Sequence, residues 1–176
     1  MPRVSETCVQ QIRNLQQTKE EIPKNGGKIV ISYSLEASIE LVFVPVTVDY
    51  NRSWEDMVRG AGIPRIDSKM SADRFPIRGS GEVKSLAIFF QFLGKSQLWE
   101  EEEFIRSCQL KDASLEVMLA LAAQWPGLSA HLPMAAHGTG YHSGWVTVHH
   151  PVIAKDWELI TNYSPKACGL IRLYML

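Results

Sequence analysis

The residues that could do chemistry are gathered in one stretch, MAAHGTGYHSGWVTVHHP (residues 134–151). It contains four of the chain's five histidines: His137, His142, His149 and His150. A neutral imidazole is a common metal ligand, and it can act as a general acid or base near neutral pH. If three of these rings, or two rings and an acid such as Asp156, met around one point, they could hold zinc and activate water.

The spacing of these histidines does not match a metal-binding motif. Zinc-binding helices place histidines as in HExxH, whereas HGTGYH (137–142) is rich in glycine and contains no acid. His149 and His150 are adjacent in a predicted strand, so they lie on opposite faces and only one can enter a given site. We therefore expect no catalytic residue, no metal and no cofactor. The metal ligands left open are His137, His142, His150 and Asp156.

A binding surface is the stronger prediction for the same stretch. Its candidate residues are Tyr141, His142, Trp145 and His149. Aromatic side chains flanked by glycines can stack on a sugar, a base or a partner's side chain. The competing interpretation is that Trp145 fills the edge of the core.

Glycine and cysteine motifs elsewhere do not indicate catalysis. GSG (79–81) is not the GxSxG turn of a hydrolase, and GTG (138–140) lacks the third glycine and the following helix of a dinucleotide-binding loop. Both are predicted to be turns. Cys8, Cys108 and Cys168 are widely spaced without a CxxC pair, which is typical of small buried hydrophobic residues.

Composition and charge are those of an ordinary soluble globular protein, with 45% hydrophobic and 21% charged residues among 176. The net charge of −1 and the scattered Lys and Arg give no reason to expect nucleic acid or an anionic membrane as partner. No apolar run approaches the roughly 18 residues of a membrane span, and the first residues lack the apolar segment of a signal peptide. We expect a cytoplasmic protein whose partner is another protein or a second copy of itself.

The first half of the chain predicts two helices and a hairpin. Apolar residues at helical spacing indicate an N-terminal amphipathic helix, residues 1–25, packed on a single domain of residues 26–176. In SIELVFVPVTVDY (38–50) the apolar positions change phase at Pro45, which predicts an edge strand or a bulge. SWEDMVRGAG (53–62) predicts a short helix capped by its first serine.

The second half predicts a central strand, a pair of helices and a β-rich end. EVKSLAIFFQFL (82–93) is apolar on both faces, as in a strand with neighbours on both sides. One helix is expected from Ser96 to Cys108, and a largely buried one from Ser114 to about Gln124. Short strands follow, including GWVTVHHPVI (144–153). The whole predicts an α+β fold with a mainly antiparallel sheet.

RFPIRGSGEVKSLAIFFQFL (74–93) and LKDASLEVMLALAAQWPGLSAHLPMAAHGTG (110–140) resemble a family of small uncharacterised bacterial proteins. That family has an FPI-G-GEV strand, two helices of which the second begins like ATLEELLALGA, an FPIVALGS-like strand and a β-rich tail. The resemblance spans roughly residues 47–140. Here Glu116 stands one place early for a capping box, and HGTG replaces LGS. The resemblance implies a fold, but it does not indicate any activity.

These observations predict a non-catalytic binding or interaction module. The alternative is a metal-dependent hydrolase or another enzyme that uses the cluster His137, His142, His149 and His150. A further alternative is a lectin-like ligand-binding domain, because a helix pair followed by short strands resembles the topology of C-type lectins. Such a likeness of fold does not determine function.

Overall fold

The structure is a computed structural model that describes residues 27–32, 37–94, 111–126, 134–136, 138–139, 141–143, 147–154, 158–162 and 171–175. In chain order its elements are β1 (Gly27–Ser32), β2 (Ala37–Asp49), α1 (Trp54–Gly60), β3 (Arg65–Ile66), β4 (Glu82–Gly94), β5 (Lys111–Asp112), α2 (Leu115–Gln124), β6 (Met134–Ala135), β7 (Tyr141–Ser143), β8 (Thr147–Ile153), β9 (Glu158–Asn162) and β10 (Ile171–Met175). Helices and antiparallel strands are both present, which confirms the α+β class. No helix in these ranges is long and apolar enough to cross a membrane.

Several predicted features lie outside the described residues. They are the N-terminal helix of residues 1–25, the helix from Ser96 to Cys108, the cysteines Cys8, Cys108 and Cys168, and the candidate site residues His137, Trp145 and Asp156.

The chain divides into two compact units. The first comprises Met1–Pro45, Leu86–Lys111 and Tyr174–Leu176, and the second comprises Val46–Ser85 and Asp112–Leu173. In the first, β1 pairs with β2 in an antiparallel register that ends with Gly27 opposite Phe43.

In the second unit the hydrogen-bonded strands follow the order β10-β6-β8-β9-β3, and β7 pairs with β8. Antiparallel pairs join β8 to β6, β7 and β9, whereas β3 is parallel to β9 and β10 is parallel to β6. Ile153 and Leu159, which are opposite each other on β8 and β9, are both fully buried. The β-rich end of the chain is therefore part of the core.

Strand β2 has the predicted even-numbered buried positions after Pro45, while the side chains of Ile39 and Leu41 are outside those that the structure describes. Phe43 and Val44 are both buried, and from there the buried positions are the even ones, Val46 and Val48. The predicted edge position of β2 is wrong, because the strand lies between β1 and β4. Pro45 is nevertheless tolerated, since the ladder with β1 ends two residues earlier at Phe43 and does not require the missing N–H.

Strand β4 and helix α1 confirm their predictions. Ala87, Ile88 and Phe89 are consecutive and fully buried, so both faces of β4 are covered, as expected for a strand between two neighbours. Helix α1 begins after Ser53, whose Oγ accepts a hydrogen bond of 3.1 Å from the backbone N–H of Asp56. This is the expected serine cap.

Helix α2 is largely buried. Every residue from Leu115 to Leu119 is buried, together with Leu121 and Ala122. The prediction of a largely buried helix is confirmed, and Trp125, which lies just beyond the end of the helix, is 38% exposed. Among the buried residues is one carboxylate, Glu116, which leads to the candidate site.

Candidate binding site at the start of helix α2

Glu116 is a carboxylate held inside the protein. It is 2% exposed, and it is the one charged residue found buried among those whose side chains the structure describes. A buried carboxylate costs free energy unless it accepts hydrogen bonds. Its Oε1 accepts one from the backbone N–H of Arg78, with a nitrogen–oxygen distance of 2.7 Å. Glu116 therefore joins the first turn of α2 to a segment 38 residues earlier in the chain.

The second oxygen of Glu116 lies in a buried polar environment. Oε2 has no hydrogen-bond partner within the residues that the structure describes. The phenol of Tyr50 is close enough to interact electrostatically with the carboxylate. Burial raises the pKa of Tyr50 above its usual value, the charge of Glu116 raises it further, and a side-chain hydrogen bond with Ser114 opposes both effects. Tyr50 is therefore a neutral hydroxyl at physiological pH.

The segment held by Glu116 is residues 76–81, here called the Arg78 loop. It follows the fully buried Phe75, and hydrogen bonds hold its backbone at Arg78 and at Gly81. Beyond the bond from Arg78 to Glu116, Gly81 accepts a hydrogen bond of 2.8 Å at its carbonyl oxygen from the N–H of Tyr50. The N–H of Gly81 donates to Oδ1 of Asn51 at 3.2 Å. The loop is thus attached to the fold by three hydrogen bonds that involve two of its residues.

Two glycines allow the loop to take this path. Gly79 has a φ of +149°, and a Cβ built on it would overlap the ring of Tyr50. Gly81 has a φ of +74°, in the left-handed region that side chains rarely adopt, although a Cβ there would meet nothing within 4 Å. GSG (79–81) is an irregular segment with a bend at Gly81, and Gly79 is needed because the backbone passes directly against Tyr50.

The loop presents polar side chains to solvent. Arg78, Gly79 and Ser80 are exposed. Within the described part of the chain, the guanidinium of Arg78 takes part in no ion pair, whereas that of Arg59 bonds Asp56 at 3.0 Å. Arg78 therefore has an exposed side chain, while its backbone N–H is held by the buried carboxylate of Glu116. A fixed guanidinium can bind a carboxylate or a phosphate through two parallel hydrogen bonds.

The segment around GTG (138–140) lies at the N-terminus of the same helix. Oγ1 of Thr139 accepts a hydrogen bond of 2.8 Å from the N–H of Leu115, the first residue of α2. Gly138 donates its N–H to the carbonyl oxygen of Ala113 at 2.9 Å, and a Cβ on Gly138 would overlap the carbonyl oxygen of Asp112. Thr139 thus caps the helix from a distant part of the sequence, while the side chain of the N-cap residue Ser114 makes no capping bond.

The described histidines lie in the paired strands β7 and β8. Tyr141 is opposite His149, and His142 is opposite Val148. Since strand residues alternate between faces, His149 shares a face with Tyr141, whereas His142 and His150 share the other. The predicted binding residues Tyr141, His142 and His149 therefore do not all occupy one face.

No group of three or more His, Cys, Asp or Glu residues is placed to hold a metal ion in the ranges that the structure covers. The four proposed ligands cannot be compared as a set, because His137 and Asp156 fall outside those ranges. Only His142 and His150 can be placed, and they are on the same face.

Sequence reasoning missed the roles of Tyr50, Arg78 and Glu116. One signal was available: in LEVMLALAA (115–123) a single carboxylate interrupts a run of apolar residues. A charged residue in a helix that is apolar all round indicates a buried polar contact.

Comparison of the chain with protein-family models, with curated proteins and with solved structures finds no match. The resemblance to a bacterial family and the lectin-like topology accordingly stay predictions.

Proposed function

We propose that this protein is a non-catalytic binding module that recognises an anionic group on a protein partner through the Arg78 loop. The observation that supports this most directly is the 2.7 Å hydrogen bond from the N–H of Arg78 to the buried Oε1 of Glu116. It fixes the backbone of an exposed arginine without using the guanidinium.

The energetics of the site favour recognition by a preformed loop. Binding residues are often carried on loops that a rigid scaffold positions. A flexible loop loses conformational entropy when it binds, and a loop that is already ordered avoids most of this loss. The contacts of Glu116, Tyr50 and Asn51 order the loop in the free protein.

The chemistry of the loop favours carboxylate groups of a protein. Arginine forms a planar fork that matches a carboxylate, and the hydroxyl of Ser80, two residues on, can donate a further hydrogen bond. Nucleic acid is a poorer fit, because the net charge is −1 and the cations are not gathered along the sequence. We place the protein in the cytoplasm and assign it no cofactor, on the same composition.

The test is an NMR titration of the purified protein with a glutamate-rich peptide at physiological ionic strength, where the Debye length is about 8 Å. We expect saturable amide shifts confined to residues 77–82. Arg78→Ala should weaken binding about tenfold, the size expected for loss of a charge-assisted hydrogen bond. Arg78→Lys should bind the peptide more tightly than Arg78→Ala but more weakly than the wild type, since lysine lacks the planar fork of arginine.

Lys69→Ala is the matched control, because Lys69 is an exposed cation in a different turn. It should leave the affinity within about twofold of the wild type, since a distant surface charge is largely screened. If the peptide shifts all exposed cations alike, or if Arg78→Ala and Lys69→Ala weaken binding equally, the proposal is overturned.

A further inference from the structure

Strand β3 is the last strand of the sheet that the described strands form. On one side it pairs with β9 in a parallel register, in which Ile66 is opposite Leu159. On its other side it pairs with none of the described strands. Strand β3 therefore has a free edge.

The backbone of Ile66 faces this free edge. The N–H of Asp67 donates to the carbonyl oxygen of Leu159 on β9 at 2.9 Å. Because consecutive residues of a strand direct their backbone groups to opposite sides, the N–H and the C=O of Ile66 point away from β9. The side chain of Ile66 is 43% exposed. A free backbone donor and acceptor on an edge strand form a template for pairing with another strand.

The residues on either side of Ile66 carry opposite charges. Arg65 precedes it and Asp67 follows it. If two copies of β3 paired in antiparallel orientation about Ile66, Arg65 of each copy would be opposite Asp67 of the other. Opposite charges in directly opposed positions of a sheet attract, whereas like charges repel. The segment is therefore complementary in charge to a second copy of itself.

We propose that the free edge of β3 is an interface through which two copies of this chain pair, with β3 antiparallel to β3 of the partner about a two-fold axis. Ile66 and the partner's Ile66 exchange two backbone hydrogen bonds at the centre of the interface. Arg65 and the partner's Asp67 form the adjacent pair without hydrogen bonds, in which Cα atoms are only about 4.5 Å apart and side chains come closest. The two-fold axis repeats this ion pair. The interface is independent of the Arg78 loop.

The short pairing predicts a weak and reversible dimer. Strand β3 has two residues, and exposed ion pairs add little to the affinity because water screens them. Interfaces that bury less than about 1,200 Å² are typical of transient complexes. We therefore expect the dimer to form only at high protein concentration, with a dissociation constant of about 0.1–1 mM.

The experiment is sedimentation equilibrium of the purified full chain at concentrations up to about 1 mM, the upper end of the expected range. Arg65→Asp and Asp67→Lys should each weaken the dimer about tenfold, because each variant places like charges opposite each other twice. An equimolar mixture of the two variants should associate nearly as well as the wild type, because opposite charges again face each other in both pairs. A mixture that associates no better than the separate variants overturns the proposal, as does a wild type that stays monomeric.

Asp67→Lys also removes the acceptor of a hydrogen bond of 2.9 Å from the N–H of Lys69. This change is the same in the separate and the mixed samples, so it does not affect the comparison between them.

The matched control is Val83, an apolar residue of β4 that is 41% exposed, nearly as much as Ile66. Ile66→Lys should abolish the dimer, because lysine on an edge strand prevents pairing. Val83→Lys should change the dissociation constant by less than about twofold, since a distant surface charge is largely screened. Equal losses in the two variants contradict the interface.

A measurement on the wild type needs no variant to fold. Hydrogen exchange at the N–H of Ile66 should become slower as the protein concentration rises, because pairing gives this donor an acceptor. If the dimer forms while the exchange of Ile66 stays unchanged, the two copies do not pair through β3 and the proposal is overturned.

Discussion

Gln124 pairs with both backbone groups of Thr47. The N–H of Thr47 donates to Oε1 of Gln124 at 3.0 Å, and Nε2 of Gln124 donates to the carbonyl oxygen of Thr47 at 2.6 Å. The carboxamide therefore takes the place of a neighbouring strand, four residues beyond the end of the β1 ladder at Phe43. The last residue of α2 is tied to β2 in this way.

Removing this amide should destabilise the fold. Gln124→Ala leaves two backbone groups of Thr47 without their partner, and we expect a loss of about 1–2 kcal/mol in the free energy of unfolding. Gln124→Glu should be at least as harmful, because a carboxylate accepts from the N–H but repels the carbonyl oxygen. Urea denaturation measures both. Unchanged stability in both variants would show that the pairing contributes nothing.

Helix α2 should depend on Thr139 for its cap rather than on Ser114. Thr139→Val removes the hydroxyl that accepts the N–H of Leu115 while keeping the shape, and should cost about 1 kcal/mol. In a Tyr50→Phe background, where its hydrogen bond to the phenol is already absent, Ser114→Ala removes a hydroxyl that makes no capping bond, and should cost less. Thermal or urea denaturation measures the loss of stability in each variant. A larger loss from the Ser114 substitution than from Thr139→Val would contradict the claim that Thr139 caps the helix.

The two glycines of the Arg78 loop should respond differently to alanine. Gly81→Ala meets only the backbone penalty of a positive φ, about 1–2 kcal/mol. Gly79→Ala also forces a methyl group into the ring of Tyr50, so its cost should be clearly larger. Denaturation midpoints rank the two variants. Equal losses would mean that Tyr50 moves aside freely.

The raised pKa of Tyr50 predicts a loss of stability at alkaline pH. Below about pH 10, the usual tyrosine value, the phenol is neutral in the folded and the unfolded chain, so its contribution is fully present. As the pH rises further, the unfolded chain loses the proton first, and the free energy of unfolding falls.

Urea unfolding at several pH values between about 8 and 11 measures how steeply the free energy of unfolding falls with pH. This range brackets the ordinary pKa of tyrosine. Tyr50→Phe should make the fall shallower, because it removes the ionising group. Glu116→Gln should have the same tendency, since the charge of Glu116 is one cause of the raised pKa. If the free energy of unfolding of Tyr50→Phe falls with pH as steeply as that of the wild type, Tyr50 is not the group responsible for the alkaline loss of stability.

Elements with a strong local pattern were predictable, and contacts between distant residues were not. The buried run around Ile88 and the apolar helix from Leu115 follow from patterns within a dozen residues. The edge position of Pro45 was wrong because the order of strands in a sheet is not encoded near that residue. The contacts of Glu116 with Arg78 and of Thr139 with Leu115 join residues 38 and 24 positions apart, which no local pattern specifies.

The most direct test of the account is whether Glu116 is needed for the Arg78 loop to bind. Glu116→Ala leaves Arg78 in place and removes the acceptor that fixes its backbone. In a titration with the glutamate-rich peptide, we predict an affinity about tenfold below that of the wild type, because a hydrogen bond to a charged group holds the binding conformation. Hydrogen exchange at the amide of Arg78 should become faster in the same variant. Wild-type affinity combined with faster exchange would contradict the claim that a preformed loop is what binds.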